Sequence, residues 1–514
     1  MTEPLHTSPD AKAERLRLRY AKERRFKLYG QIAIAIAIGF LAILLISIGS
    51  KAASAFSRYM LVVEIDQPDF TPQSDVSVTD VNLAVRDQLQ VLFPGTLTDR
   101  AARADLFALT TRLSVLPLTR QIQANPELAN QPLTAQLAVS DDLDLYLKND
   151  IRSHRRLEIG TTGRLSRTEA GLYRLTTADP DGFFEFQDRL VAENEPATDI
   201  IIEASGWWFV LEDLSGATLI LSHAAGAIPD LGEQDQSPIS AILLGSLSAD
   251  RKVTNRQIAM ALYLKERQLI EKRFNTSLFT NADSTYPELA GAAAAIIGSL
   301  FTMLVTAIFA IPVGILAAVY LEEFAKKSLL TSVIEVIINN LAAVPSIIFG
   351  LLGAAVFLNT FDLPRSVPLV GGLVLGLLVL PTIIIASRAA LRSIPPSVRD
   401  AALGLGASPT QAVFHHVLPM AAPGILTGAI IAMARALGET APLLLIGMVA
   451  FISEVPASPN DESTVLPVLI YKWFSGAERA WEPMTSAVII ILLIVLVSMN
   501  LVAVLLRRRF ERKW

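Results

Sequence analysis

The sequence predicts an all-α polytopic membrane protein of six transmembrane helices, with one mixed α/β domain inserted that faces water. Three observations carry the prediction. Of 514 residues, 52% are hydrophobic and only 18% charged, too apolar for an ordinary soluble enzyme of this length. Apolar runs able to cross roughly 30 Å of hydrocarbon recur, one near the start and five in the second half. The net charge of -5 hides a segregation: Lys and Arg crowd short flanks, while Asp and Glu fill the polar region from 64 to 250. Such asymmetry orients a chain in a membrane and does not imply nucleic-acid binding. Cysteine is absent, which excludes disulfides, thiolate metal sites and a Cys nucleophile.

Residues 1–27 form a basic terminus with Lys12, Arg15, Arg17, Arg19, Lys22, Arg24, Arg25 and Lys27, placed in the cytoplasm by the positive-inside rule. The first span, 28–50, exceeds the ~7 to 15 residues of a cleaved signal core. Residues 51–285 contain nothing apolar enough to cross, so they form a domain on the opposite side. Aromatic and β-branched content predicts strands at 59–65, 207–211 and 218–221. Three- and four-residue spacing predicts helices at 80–93 and 99–114, the second stopped by Pro117, and a third at 254–274. Asp141, Asp142 and Asp144 lack the Gly and distal Glu of a calcium loop and read as a solvated acidic turn. Arg152, His154, Arg155 and Arg156 read as a wet basic face, with an acidic partner or lipid headgroups as the alternative. Trp207, Trp208 and Phe209 read as core.

The region 286–514 holds five further spans. The first, at about 290–320, ends in Glu322, Glu323, Lys326 and Lys327, a cytoplasmic flank. The second, 333–358, contains Glu335, Asn339, Asn340 and Pro345, which lipid does not tolerate without partners, so it should face other helices. The third, 367–386, ends inside at Arg388 and Arg392, and the fourth, 421–451, goes out. Glu454, Asp461, Glu462, Glu478 and Glu482 mark the next loop as external. The last span, 485–506, stops at a basic end with Arg507, Arg508, Arg509, Arg512 and Lys513. Six spans with both termini inside satisfy every flank, and removing one would put a basic flank on the wrong side.

Between the third and fourth of these spans lies the polar loop 387–420. Pro395 and Pro396 can open a short helix, because an N1 proline loses no needed hydrogen bond, and Gly404 or Gly406 can close it in a left-handed conformation. Ser408-Pro409-Thr410-Gln411 has the form of a capping box with proline at N1, starting a second helix that runs to Leu418-Pro419. Arg399, Asp400, Ala401 and Ala402 share the first helix, where small residues let a partner approach closely.

These residues carry a resemblance. Asp400-Ala401-Ala402, Gly406 and Leu418-Pro419 reproduce the spacing of the cytoplasmic loop of bacterial ABC importer permeases, a family that has Glu where Asp400 stands and an aliphatic residue where His416 stands. Residues 315–324, 340–350 and 435–442 look like the phosphate-specific permeases of the PstA type. The resemblance covers about 286–514 and the first helix. It implies a type I ABC importer permease core, a bacterial inner-membrane location, and a periplasmic position for 51–285. It also implies partners: a homologous permease, two ATP-binding subunits docked on the loop, a periplasmic phosphate-binding protein and the lipid bilayer.

The chain has no Gly-Lys-Ser/Thr phosphate loop and no Ser/His/acid arrangement, so we expect a transport subunit without cofactor, ATP being used by a partner. Arg435 and Glu439 lie four residues apart within an apolar span, where burying either charge is costly unless they pair or line water. They read either as a mutual ion pair or as an arginine offered to phosphate oxygens, with Thr440 adding a hydroxyl. The chemistry leaves sulfate or molybdate open as cargo, and a membrane-anchored sensor of an external ligand remains the reading of a different class.

Overall fold

The computed structural model describes residues 9–65, 76–149, 154–169, 171–177, 181, 183–185, 188, 199–215, 218–228, 237–244 and 251–510. Arg152 of the basic face and Glu511, Arg512 and Lys513 of the basic end lie outside these residues. The first helix, α1 (Pro9–Ala55), runs unbroken for 47 residues, about 70 Å at 1.5 Å per residue, twice what a membrane core requires.

The α/β domain grows from α1 with almost no linker. Strand β1 (Ser57–Ile65) follows directly, and its alternate residues Leu61, Val63 and Ile65 are buried. Helix α2 (Val78–Leu92) opens with a capping box in which Ser77 and Asp80 satisfy each other's backbone N–H. Helices α3 (Arg100–Phe107) and α4 (Leu116–Ala124) follow. Pro117 does not stop a helix here, as expected, but sits in the first turn of α4, where its missing N–H costs nothing. Strand β2 (Leu133–Ala138) leads to α5 (Asp141–Asn149), whose first turn holds the three aspartates. Asp144 is not merely solvated: it accepts from the Tyr59 N–H at 2.8 Å and pairs with Lys148.

Six strands then close a barrel. They are β3 (Arg155–Arg167), β4 (Tyr173–Thr177), β5 (Ile200–Ala204), β6 (Trp207–Ser215), β7 (Thr218–Ala225) and β8 (Ser237–Leu243), in the antiparallel order β3-β4-β7-β6-β5-β8. Its interior is filled by Leu175, Ile200, Ile202, Phe209, Leu211, Leu219, Leu221 and Ile239, inward residues at period two. Trp208 is buried too, on the outer face of the barrel against α6 and its neighbours.

Helix α6 (Asn255–Glu266) has every residue from Ile258 to Leu264 buried, and β9 (Ile270–Phe274) closes the domain against β1, giving the small sheet β2-β1-β9. The single helix expected over 254–274 is therefore two elements. Its spacing suits a helix throughout, but Gln268 adopts φ 59° and the segment beyond pairs with the open edge of β1. Edge pairing outweighs local propensity.

The membrane half contains α7 (Ala293–Val319, extended by a π turn at Tyr320–Phe324), α8 (Leu329–Leu341) and α9 (Ser346–Thr360). After these come α10 (Pro368–Arg392), α11 (Pro396–Gly404), α12 (Pro409–Leu437), α13 (Ala441–Leu445), α14 (Leu466–Phe474) and α15 (Trp481–Phe510). Helices α7 and α10 run parallel in close contact: Gly372 packs on Val305 and Gly314 on Ile383. A Cβ at Gly372 would lie 2.7 Å from the Thr302 carbonyl oxygen, so only glycine fits, and the Thr306 hydroxyl donates across to the Gly372 carbonyl at 3.0 Å. Helix α12 is antiparallel to α10, with Gly428 on Ala386 and Gly424 on Ala390. Arg507 at the end of α15 donates to Thr427 of α12 at 3.1 Å.

Two spans differ from the expectation. The segment 333–358 is not one straight helix: α8 and α9 meet at 105°. Pro345, at φ -56° and ψ 136°, is itself extended and lacks the N–H the ladder needs, which breaks it. Asn339 and Asn340 are exposed rather than packed on this chain's helices, while Glu335 does find a partner, described below. The long helix expected over 421–451 ends at Leu437 with Gly438 as its cap, and after a break only the short α13, opened by Pro442, follows. Among the described residues, five helices are thus long and apolar enough to cross a membrane, plus the bent pair.

The α/β domain is tied to the C-terminal end of α1 and to α14. Asn275 donates to the carbonyls of Ala55 and Phe56, and Asp283 accepts from the Trp473 indole N–H at 3.2 Å and pairs with Lys472.

Candidate functional site

The loop between α10 and α12 is a rigid body. Pro395 and Pro396 start α11 as expected. Its end is a Schellman motif: the Ala407 N–H reaches the Ala402 carbonyl at 3.1 Å and the Gly406 N–H reaches Leu403 at 2.9 Å, with Gly406 at φ 90°. Gly406, not Gly404, is therefore the residue whose conformation requires glycine. Two residues on, Ser408 and Gln411 form the reciprocal capping box, the Gln411 N–H donating to Ser408 Oγ at 3.2 Å and the Ser408 N–H to Gln411 Oε1 at 2.9 Å.

The second helix does not stop at Leu418-Pro419. It passes through the π turn Val413–Val417, which absorbs the hydrogen bond that Pro419 cannot make, and continues as α12. The loop's inner side, with Ile394, Val413 and Val417, is seated on Ala318, Val319 and Leu391 from α7 and α10. Its outer side offers Asp400, Ala401, Leu403, Leu405 (90% exposed), Phe414 and His416 to whatever lies below. Of the predicted docking residues, Asp400, Ala401, Gly406 and Pro419 are exposed, Leu418 is half-buried and Ala402 is buried.

Arg399 takes another course. Its guanidinium is turned inward, 24% exposed, and grips Glu323, which is 6% exposed. Nε donates to Glu323 Oε2 at 2.8 Å and Nη2 to the other carboxylate oxygen, a fork-to-fork pair. Its remaining donors reach the Ile394 carbonyl at 2.9 Å and the Leu391 carbonyl at 3.1 Å. Hydrogen bonding to Glu323 holds the Arg399 guanidinium above its ordinary range.

Beside it, Glu322 accepts from Arg392 at 2.9 Å and from Arg388 at 3.3 Å, and Arg388 also donates to Glu335 of α8. Three arginines and three glutamates thus join the ends of α7, α8 and α10 to the loop. Sequence reasoning registered Glu322, Glu323, Arg388 and Arg392 as charge flanks, Glu335 as needing a partner and Arg399 as part of the docking helix, and missed their pairing. The signal was there: two adjacent glutamates before Lys326 and a third inside an apolar segment need cations to face.

At the other end of α12 the geometry is looser. Arg435 lies 16 residues beyond Pro419, about 24 Å along the helix. Its side chain is 49% exposed, and its contact with Glu439 is 3.7 Å, too long for a hydrogen bond. Glu439 is not on the same helix, as its spacing implied, but just past the cap at Gly438. Thr440 follows at the start of α13, and its side chain makes no capping bond there. The structure places the three at a helix break, with Arg435 exposed and Glu439 and Thr440 half-buried.

Residues 310–513 match the family model described as binding-protein-dependent transport system inner membrane component, and residues 13–156 match a domain of unknown function, DUF3333. The phosphate transport system permease protein PstA 1 of Mycobacterium tuberculosis is 34% identical over 214 residues, 41% of this chain and 69% of that protein. PstA of Haemophilus influenzae is 31% identical over 211 residues, 41% of this chain and 73% of the relative. PstA of Xylella fastidiosa is 30% identical over 235 residues, 45% and 80%. Among solved structures, an inward-facing MetNI methionine ABC transporter is similar at 19% identity and TM-score 0.36, covering 42% of this chain and 95% of that one.

Proposed function

This chain belongs to the PstA family of phosphate transport system permeases, and from that premise we propose that it is a membrane subunit of an ATP-driven importer of inorganic phosphate. A homologous permease completes the path, two ATP-binding subunits drive it, and a periplasmic phosphate-binding protein delivers the cargo. The chain itself does no covalent chemistry and holds no cofactor.

The parallel packing of α7 and α10 supports counting α8 and α9 as one crossing, since the chain must return from the end of one helix to the start of the other. That makes six crossings. With the basic flanks inside, both termini are cytoplasmic and 51–285 are periplasmic in the bacterial inner membrane.

The observation that carries the reading is the loop: a twice-capped body, apolar Leu403, Leu405 and Phe414 outward, ion-paired to three membrane helices behind. Exposed apolar side chains on a polar loop mark a docking surface. ATP-driven closure of the docked subunits would push 393–419 and rock the helices, opening the path alternately to each side. At the far end, Arg435 would offer its fork to two phosphate oxygens, Thr440 a hydroxyl, and Glu439 would hold the guanidinium when no anion is present.

The test is labelled phosphate uptake in vesicles with the complete complex, challenged by unlabelled phosphate, sulfate and molybdate. Competition by phosphate alone supports this reading. Equal competition by sulfate or molybdate would reassign the cargo, and uptake that persists without the ATP-binding subunits would overturn the coupling.

A further inference from the structure

We propose that Glu323 and Arg399 are the positioning pair through which force on the loop reaches α7, a role that rests on the reading of the loop as the coupling element. The argument begins with what holds α11. The helix is nine residues long, hinged at Pro395 and ending at a glycine turn. It buries only Ala402, with Val398 partly covered. Apolar contact of that size lets a short helix tilt.

The Arg399 fork supplies the missing stiffness. One guanidinium reaches α11's own root at the Leu391 and Ile394 carbonyls and, through both oxygens of Glu323, the end of α7. A single side chain therefore fixes three segments at once. Lys, with one donor centre, cannot do so.

The other half of the device is the π turn Tyr320–Phe324, closed by the Ala325 N–H to the Tyr320 carbonyl at 2.8 Å. A π turn changes how successive side chains fan out. Glu322 and Glu323, adjacent in sequence, thereby serve different partners: Glu322 takes Arg388 and Arg392 of α10, Glu323 takes Arg399 of α11. The Glu322 cluster, extended to α8 through Arg388 and Glu335, holds the bundle together whether or not the loop moves. Among the described residues the Glu323 pair is the ion pair that joins α7 to α11, so force from α11 can enter α7 through it as well as through the apolar seat.

Glu323→Gln removes the charge and keeps the size, Arg399→Lys keeps the charge and removes the fork. In the reconstituted complex, both should leave assembly and ATP hydrolysis within about twofold of wild type while phosphate imported per ATP falls roughly fivefold or more. Because the chain has no native cysteine, the double variant Glu323→Cys with Arg399→Cys can be bridged by a short bis-maleimide, which should restore the ratio that the unbridged form has lost. An unchanged ratio in the two single variants, or no recovery on bridging, would overturn the proposal. A further readout does not depend on the cargo: spin labels at Leu405→Cys and Leu300→Cys, both exposed, report the distance between loop and outer α7. Nucleotide should change this distance little in wild type, where loop and helix move together, and strongly in Glu323→Gln. If wild type imports no phosphate, the functional reading fails while this distance still decides the linkage; equal changes in the two proteins would refute it.

Discussion

The loop at 387–420 and the helix break at 435–440 are both built on arginine and glutamate, yet they use them in opposite ways. In the loop every guanidinium is committed: Arg388, Arg392 and Arg399 hold close contacts to carboxylates, and Glu323 is almost fully covered. At the break, Arg435 has one loose contact among the described residues and half its side chain in the open. A committed ion pair in low dielectric is a weld, because breaking it leaves an uncompensated charge. A loosely held arginine is an available donor set. The distance to the partner carboxylate, rather than residue type, separates the part that carries load from the part that can meet an anion.

The largest way to break this contrast is at Gly406. A β-branched residue at φ 90° meets a strain of about 1 to 2 kcal/mol and undoes the turn that fixes α11 against α12. Gly406→Val should reduce phosphate uptake to background in vesicles while the protein still appears in the membrane fraction. Next is Arg435→Ala, which removes charge-assisted hydrogen bonds of about 1.5 to 3 kcal/mol, a loss in uptake of about tenfold to a hundredfold. The ATP-binding subunits should co-purify as before. Glu439→Gln tests the looseness itself. If Arg435 is only weakly held, neutralising its neighbour should change the apparent affinity for phosphate by no more than about threefold, read from the concentration dependence of uptake.

A smaller effect is expected in the α/β domain between α1 and α7, away from both sites. Burial pushes His154 and His223 down to about 4. Each stays neutral when folded, while its unfolded counterpart takes a proton near 6.5, so stability is lost as pH falls from 6.5 towards 4. His154 meets the Tyr146 hydroxyl at 2.5 Å, and the His223 ring lies edge-on to Phe209. Thermal unfolding of the full chain in detergent, followed through Trp207 and Trp208, should show a midpoint that drops over this interval. His154→Phe should lessen the drop.

How much of this was legible in the sequence follows from the range over which each feature is encoded. The loop's caps are local, Ser408 with Gln411 and Gly406 after α11, and they read directly. The ion pairs join residues such as Glu323 and Arg399, 76 positions apart, and no local pattern could pair them. The barrel stayed hidden for the same reason: β3 closes on β8 across most of the domain. At 254–274 the helical spacing was real, and the open edge of β1 overrode it beyond Gln268. At 437–442 the cap Gly438 and the helix-opening Pro442 were present, but the apolar run around them masked the stop.

The account's central claim is that loop and helix break divide the work between stroke and cargo. The most direct measurement is ATP hydrolysis and phosphate uptake recorded together in vesicles containing the full complex, for wild type, Arg435→Ala and Gly406→Val. The account predicts that Arg435→Ala keeps its basal ATP hydrolysis but imports little, whereas Gly406→Val loses uptake together with the stimulation of hydrolysis by the loaded binding protein. Wild-type uptake by Arg435→Ala, or normal stimulation and uptake by Gly406→Val, would contradict it.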